Sequence, residues 1–72
     1  MKKIKKIKIR AIGRIKSIPC NYKMSDLIKN LKIPIKKVAI ELNREIIDKK
    51  NINKINLRNN DEIEIVHFIG GG

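Results

Sequence analysis

Tryptophan is absent from these 72 residues, and the other large aromatics occur once each, as Tyr22 and Phe68. The core must therefore be aliphatic, and isoleucine is the residue available to fill it. The shortage also removes the stacking platforms on which readers of single-stranded nucleic acid depend. A lone cysteine, Cys20, excludes an internal disulfide and a cysteine metal cage, and suits a reducing compartment. A lone histidine, His67, falls short of the three or four ligands that a metal site needs. No apolar run approaches the ~18 residues of a membrane-crossing helix. The opening Met1-Lys-Lys-Ile-Lys-Lys is basic but lacks the continuous apolar stretch of a signal peptide. A cytosol-like compartment is the expectation.

Acids are scarce: seven Asp and Glu stand against 18 Lys and Arg, for a net charge of +11. A balance this basic first suggests nucleic acid or an acidic surface as partner. Its make-up points elsewhere. Only Arg10, Arg14, Arg44 and Arg58 are arginines, and all other basic residues are lysine. Lys, Ile and Asn share A/T-rich codons, so drift in base composition explains the charge without a new function. Base-specific readers also use the bidentate forks of arginine. A phosphate stripe of Lys2, Lys3, Lys5, Lys6, Lys8 and Arg10 is the competing reading, and it predicts steeply salt-dependent binding.

The length fits one domain, with enough hydrophobic residues, 42%, for one small core. Ile7, Ile9 and Ala11 alternate with Lys8 and Arg10, the period of a half-buried strand. Gly13 punctuates the chain, so the opening reads as a hairpin with strands at about 5–12 and 14–18, ended by Pro19. Met24, Leu27, Ile28 and Leu31 follow helical spacing and predict one amphipathic helix over about 24–31. Ser25 or the segment just before it is placed to cap the start, and Pro34 blocks continuation. Val38, Ile40 and Leu42 mark the clearest central strand, followed by a tight turn at Asn43-Arg44 and a short strand at Glu45-Ile46-Ile47. Residues 48–57 read as a loop with one short helical turn. After a turn at Asn59-Asn60-Asp61, Ile63 and Ile65 alternate with Glu62 and Glu64 in a final strand over about 62–68.

The order β-β-α-β-β-β in so short a chain predicts an α+β fold of the β-grasp type, a mixed sheet of four to five strands curled over one helix. Residues 1–72 form the single domain, with a basic extension at 1–6 and a tail at 69–72. The expected inward set is Ile7, Ile9, Ala11, Ile18, Leu27, Ile28, Leu31, Val38, Ile40, Leu42, Leu57, Ile63 and Ile65.

The last strand feeds directly into Ile69-Gly70-Gly71-Gly72. Glycine loses more conformational freedom on ordering than any other residue, so such a run adds nothing to folding. It makes a thin peptide without side chains, able to thread a narrow channel and present one reactive group, the carboxylate of Gly72. A carboxylate is a poor electrophile. Transfer to AMP from ATP would supply a good leaving group, and a sulfur or amine nucleophile could then displace it. A side chain near Gly72 would obstruct that attack.

Two segments, Val38-Ala-Ile-Glu-Leu-Asn-Arg-Glu-Ile-Ile47 and Asp61-Glu-Ile-Glu-Ile-Val-His-Phe-Ile-Gly-Gly-Gly72, resemble the thiamine-biosynthesis sulfur-carrier family (ThiS-like, with a ubiquitin-like β-grasp). With the opening hairpin and the helix, the resemblance covers about residues 7–72. It implies that an E1-like adenylyltransferase of the ThiF type activates Gly72 with ATP and Mg²⁺. A cysteine-desulfurase-derived persulfide or another source then makes the thiocarboxylate, and a thiazole synthase of the ThiG type takes the sulfur. It implies no cofactor bound to this chain, a monomer on its own, and a cytoplasmic or plastid-stromal location. The family often carries Asn-Gly at both tight turns, where this chain has Ile12-Gly13 and Asn43-Arg44. Molybdopterin-synthase small subunits, and carriers for tRNA thiolation or cysteine synthesis, share the fold and the ending.

The remaining residues offer little catalysis. Cys20 has neither a second cysteine nor a histidine nearby in sequence to activate it. The seven acids form no defensible pair, so the chain is expected to be a cosubstrate rather than an enzyme. Val66, His67, Phe68 and Ile69 are the candidate partner contacts. Val66 and Phe68 are expected to point away from the Ile63/Ile65 face. Glu62 and Glu64 are placed to meet basic groups on an activating enzyme.

Overall fold

A computed structural model describes residues 5–67 of the chain. Among these residues there are five strands: β1 (Lys6–Ala11), β2 (Arg14–Pro19), β3 (Val38–Leu42), β4 (Glu45–Ile46) and β5 (Glu62–His67). One α-helix, α1 (Met24–Asn30), lies between β2 and β3. The strands form one mixed sheet in the order β2-β1-β5-β3-β4. This is the expected β-grasp, but the middle strand is β5 rather than Val38–Leu42. Strand order is set by long-range pairing: β5 lies parallel to β1 through Ala11↔Ile63 and antiparallel to β3 through Ile40↔Ile65. Neither pairing leaves a local mark in the sequence.

Both hairpins turn on two residues. Ala11 pairs with Arg14 across Ile12-Gly13, and Leu42 pairs with Glu45 across Asn43-Arg44. All four turn residues have positive φ, from 52° at Ile12 and Asn43 to 71° at Arg44 and 76° at Gly13. That sign matches the right-handed twist of the flanking strands, which is why such turns close two-residue hairpins. Gly13 and Asn43 adopt it readily, whereas Ile12 is β-branched and does so at a cost.

The helix starts at Met24, as the spacing predicts, and its cap lies in the segment just before Ser25. Ser25 does not cap it. Lys23 is the capping position, and its N–H donates to the Asp26 carboxylate at 2.9 Å. An acid in the first turn also complements the partial positive charge there. Met24, Leu27 and Ile28 are buried on the sheet side. Each contributes about 1.5–3 kcal/mol by leaving water. Leu31 closes the helix as its C-cap.

The core consists of Ile9, Ala11, Ile18, Met24, Leu27, Ile28, Val38, Ile40, Leu57 and Ile63. Met24 belongs to it although it falls outside the expected inward set. Ile7, Leu31, Leu42 and Ile65 pack against this core half-buried rather than within it. Two 3-10 turns, Ile35–Lys37 and Lys49–Asn51, flank β3 and β4, and only the second has a counterpart in the sequence reading.

Candidate functional site

β5 is the strand that carries the chain toward its terminus, and its surroundings define where the tail begins. The start of β5 is held by a compact set of hydrogen bonds. Asn43 accepts from the Glu62 N–H at 2.9 Å and donates through Nδ2 to Asp61 Oδ1 at 3.0 Å. The other Asp61 oxygen accepts from the Arg58 N–H at 2.7 Å. Asn59 Oδ1 accepts from the Lys8 N–H at 2.9 Å, tying the same turn to β1. The turn at 59–61 is therefore latched to both neighbours of β5 before the strand runs outward.

β1 reaches β5 only through Arg10↔Glu62 and Ala11↔Ile63, and then turns back at Ile12-Gly13. Beyond Ile63 the strand is paired by β3 alone, up to Val38↔His67. Because β1 and β5 are parallel, the Ile12-Gly13 turn and the end of β5 lie at one end of the sheet. The partner segment there is fixed from outside the sheet. Lys49 Nζ donates to the carbonyls of Ile35 at 2.9 Å and Val38 at 2.8 Å, pinning the beginning of β3 opposite His67.

The face of the sheet turned away from the helix carries polar groups and exposed apolar ones. Ala39 stands opposite Val66, Glu41 opposite both Glu64 and Ile46, and Arg10 beside Glu62. Val66 is 45% exposed and Ile46 71% exposed. Val66 does point away from buried Ile63, as the alternation predicts, and His67 is exposed at the strand end. Phe68 and Ile69, and the tail Gly70, Gly71 and Gly72, lie outside the described residues, as does most of the 1–6 extension.

Charge on this face is uneven. Glu41 and Glu64 are like charges directly opposite each other, an arrangement that costs stability unless a cation meets it. Glu62 has Arg44 at 3.8 Å, but the two side chains are 38% and 88% exposed and the pair contributes little. An acidic strip beside Val66, Ala39 and Ile46 thus runs toward the end of β5, on a chain that is otherwise strongly basic. Sequence reasoning named Val66, Glu62 and Glu64, and missed Ile46, Glu41 and Ala39. Only the β3-β4 and β3-β5 registers bring those three to the same face.

The groups that could perform chemistry by themselves are not gathered. Among the described residues, no three of His, Cys, Asp and Glu are grouped to hold a metal ion. Cys20 is half-buried just after β2, where its N–H donates to the Lys5 carbonyl. No helix among these residues is long and apolar enough to cross a membrane.

Comparison with known proteins agrees with this geometry. The sequence model of the ThiS family matches residues 6–72. The sulfur carrier protein ThiS of Bacillus subtilis (strain 168) is 43% identical over 49 residues, which are 68% of this chain and 74% of that protein. A thiazole synthase of Magnetococcus marinus is 32% identical over 66 residues, 92% of this chain but only 20% of the synthase. In structure, a thiamine biosynthesis protein (ThiS) from Geobacter metallireducens superposes with a TM-score of 0.80. That superposition covers 92% of this chain and all of the other, at 22% identity, and so speaks for the fold.

Proposed function

The chain belongs to the ThiS family of sulfur carriers, and from that premise we propose that it carries sulfur for thiamine biosynthesis on the carboxylate of Gly72. The observation that carries this reading is the reach of the family match, which runs through residue 72 and takes in the Gly70-Gly71-Gly72 ending. An activating enzyme of the E1-like, ThiF type transfers AMP from ATP to the carboxylate and releases pyrophosphate, with Mg²⁺ on that enzyme. Hydrosulfide displaces AMP and leaves a thiocarboxylate. A persulfide donor such as that of a cysteine desulfurase would leave an acyl disulfide, which a thiol must then cleave. In both routes the energy comes from ATP and the chain contributes the acyl group that is transferred. It acts as a cosubstrate and monomer, not as a catalyst.

The sheet face gives the activating partner something to grip. The partner's complement is a surface with an apolar patch for Val66 and Ile46 and basic groups for Glu41 and Glu64. Thiazole synthase is the proposed acceptor. Its support is that a segment resembling this chain accounts for a fifth of the Magnetococcus thiazole synthase. These partners imply a cytoplasmic location, or the plastid stroma for a plastid-encoded chain.

Intact-protein mass spectrometry tests the reading. The protein is incubated with ATP, Mg²⁺, sulfide and a ThiF-type adenylyltransferase. A gain equal to replacing one oxygen by sulfur is expected, lost on deleting Gly72 or adding one residue after it. An unchanged mass from a folded protein would refute it.

A further inference from the structure

Among the described residues, β2 is an edge strand of the sheet. The Cys20 N–H donates to the Lys5 carbonyl, so hydrogen-bonded pairs alternate from there along the hairpin. By that alternation Arg14, Lys16 and Ile18 turn their backbone groups toward β1. Ile15, Ser17 and Pro19 turn theirs to the open edge. The placement of Pro19 agrees, since a residue without an N–H is tolerated where that group would face outward. Ile15 and Ser17 therefore present two N–H and two C=O groups in the spacing that another strand would use.

Beside this edge lies a groove of about 450 Å³ lined by Ala11, Ile12, Arg14, Ile15, Lys16 and Leu31. The C-cap residue of α1, Leu31, is part of its lining. Opposite buried Ala11 and Ile9, β2 turns Arg14 and Lys16 to the helix side, where a sealed core would hold apolar residues. The groove has an apolar floor, a cationic rim and two exposed isoleucines, Ile12 at 49% and Ile15 at 64%.

We infer that the β2 edge is a second docking site, distinct from the face beside the tail, and that it takes an extended acidic peptide from another protein as an added strand. Added strands gain affinity from main-chain hydrogen bonds and specificity from side-chain complementarity. A strand alternating carboxylate and β-branched residues sets its carboxylates beside Arg14 and Lys16 on the helix side and its apolar residues beside Ile15 on the other. A second copy of this chain is disfavoured as occupant. Antiparallel pairing of two β2 strands would bring Arg14 and Lys16 of both together, like charges across a ladder. The site goes beyond the carrier reading and stands apart from it.

The test is a titration of the nitrogen-15-labelled protein with a blocked peptide of about eight residues alternating valine and glutamate, a length matched to β2. Shifts at residues 11–17 and Leu31, with slowed exchange of the Ile15 and Ser17 amides, are expected. The same peptide N-methylated on its pairing edge should bind about tenfold or more weakly. An Arg14→Glu/Lys16→Glu variant should lose the glutamate peptide and gain the corresponding valine–lysine peptide, while tail activation stays intact. Equal binding of the glutamate and lysine peptides by the parent protein would overturn the inference, as would absent shifts or shifts confined to β3 and β5. Protection of Ile15 and Ser17 that rises with protein concentration alone would make a second copy the occupant, and also overturn it. The N-methylated peptide keeps the test decisive should the variant fail to fold.

Discussion

Replacing Arg44 by glycine should make this protein more stable, although it deletes an ion pair. Arg44 sits at φ 71° in the β3-β4 turn. A residue with a Cβ pays about 1–2 kcal/mol for left-handed backbone, and Arg44→Gly removes that cost. Against this, glycine has more unfolded-state freedom to lose, about 0.4–1 kcal/mol. The side chain itself contributes little, being 88% exposed with its one carboxylate contact at 3.8 Å. The balance is a gain of roughly 0.5–1 kcal/mol, or a midpoint rise of about 2–8 °C for a domain of this size. The neighbouring substitution should have the opposite sign. Asn43 shares the positive φ, but its side chain holds Asp61 and the Glu62 N–H. Asn43→Gly forfeits both hydrogen bonds and should lower stability by about 1–2 kcal/mol. Thermal and urea unfolding followed by far-ultraviolet circular dichroism would measure both variants. A lower midpoint for Arg44→Gly, or a gain for Asn43→Gly, would refute the reasoning that backbone conformation governs one position and side-chain bonding the other.

Leu27 is fully buried, so Leu27→Ala should cost about 2–5 kcal/mol, read as a fall in the urea midpoint at unchanged slope. Lys49→Met removes the two bonds to the Ile35 and Val38 carbonyls. It should cost about 1–3 kcal/mol and speed amide exchange at the β3 start and at His67 before the rest of the sheet. Val66→Asp puts a further acid beside Glu64 on an exposed position. It should change the unfolding free energy by no more than about 0.5 kcal/mol but weaken association with the adenylyltransferase, seen as a raised KM for the carrier in pyrophosphate release.

Much of the molecule is legible along the chain because the information is local. Alternation in Ile7-Ile9-Ala11 and in Ile63-Ile65 marks strands, helical spacing from Met24 to Leu31 marks the helix, and Asn43-Arg44 and Gly13 mark the turns. The resemblance at residues 38–47 and 61–72 pointed to the family that the comparison then matched over 6–72. The fold class followed from element order. What failed was local too. Of the two cap readings, Ser25 itself fails and the segment just before it holds, because a carboxylate placed three residues after Lys23 reaches back to its N–H. Met24 sits at the first helical position, but the helix faces the sheet from its first turn and buries it completely.

The sequence by itself determined the element types, the aliphatic core, the charge imbalance and the glycine ending, since each depends on residues within a few positions of one another. Tertiary structure alone decided which strand is central. β5 takes that place because its parallel and antiparallel ladders join residues some fifty and twenty-five positions apart, at Arg10↔Glu62 and Ile40↔Ile65. The same registers collect Glu41, Glu64, Ala39, Val66 and Ile46 on one face. Lys49 becomes the anchor of β3 only because the fold brings its ammonium to two carbonyls more than ten residues away. The groove at β2 joins Leu31 at the helix end to residues 11–16 of the hairpin, a meeting made in space and not along the chain.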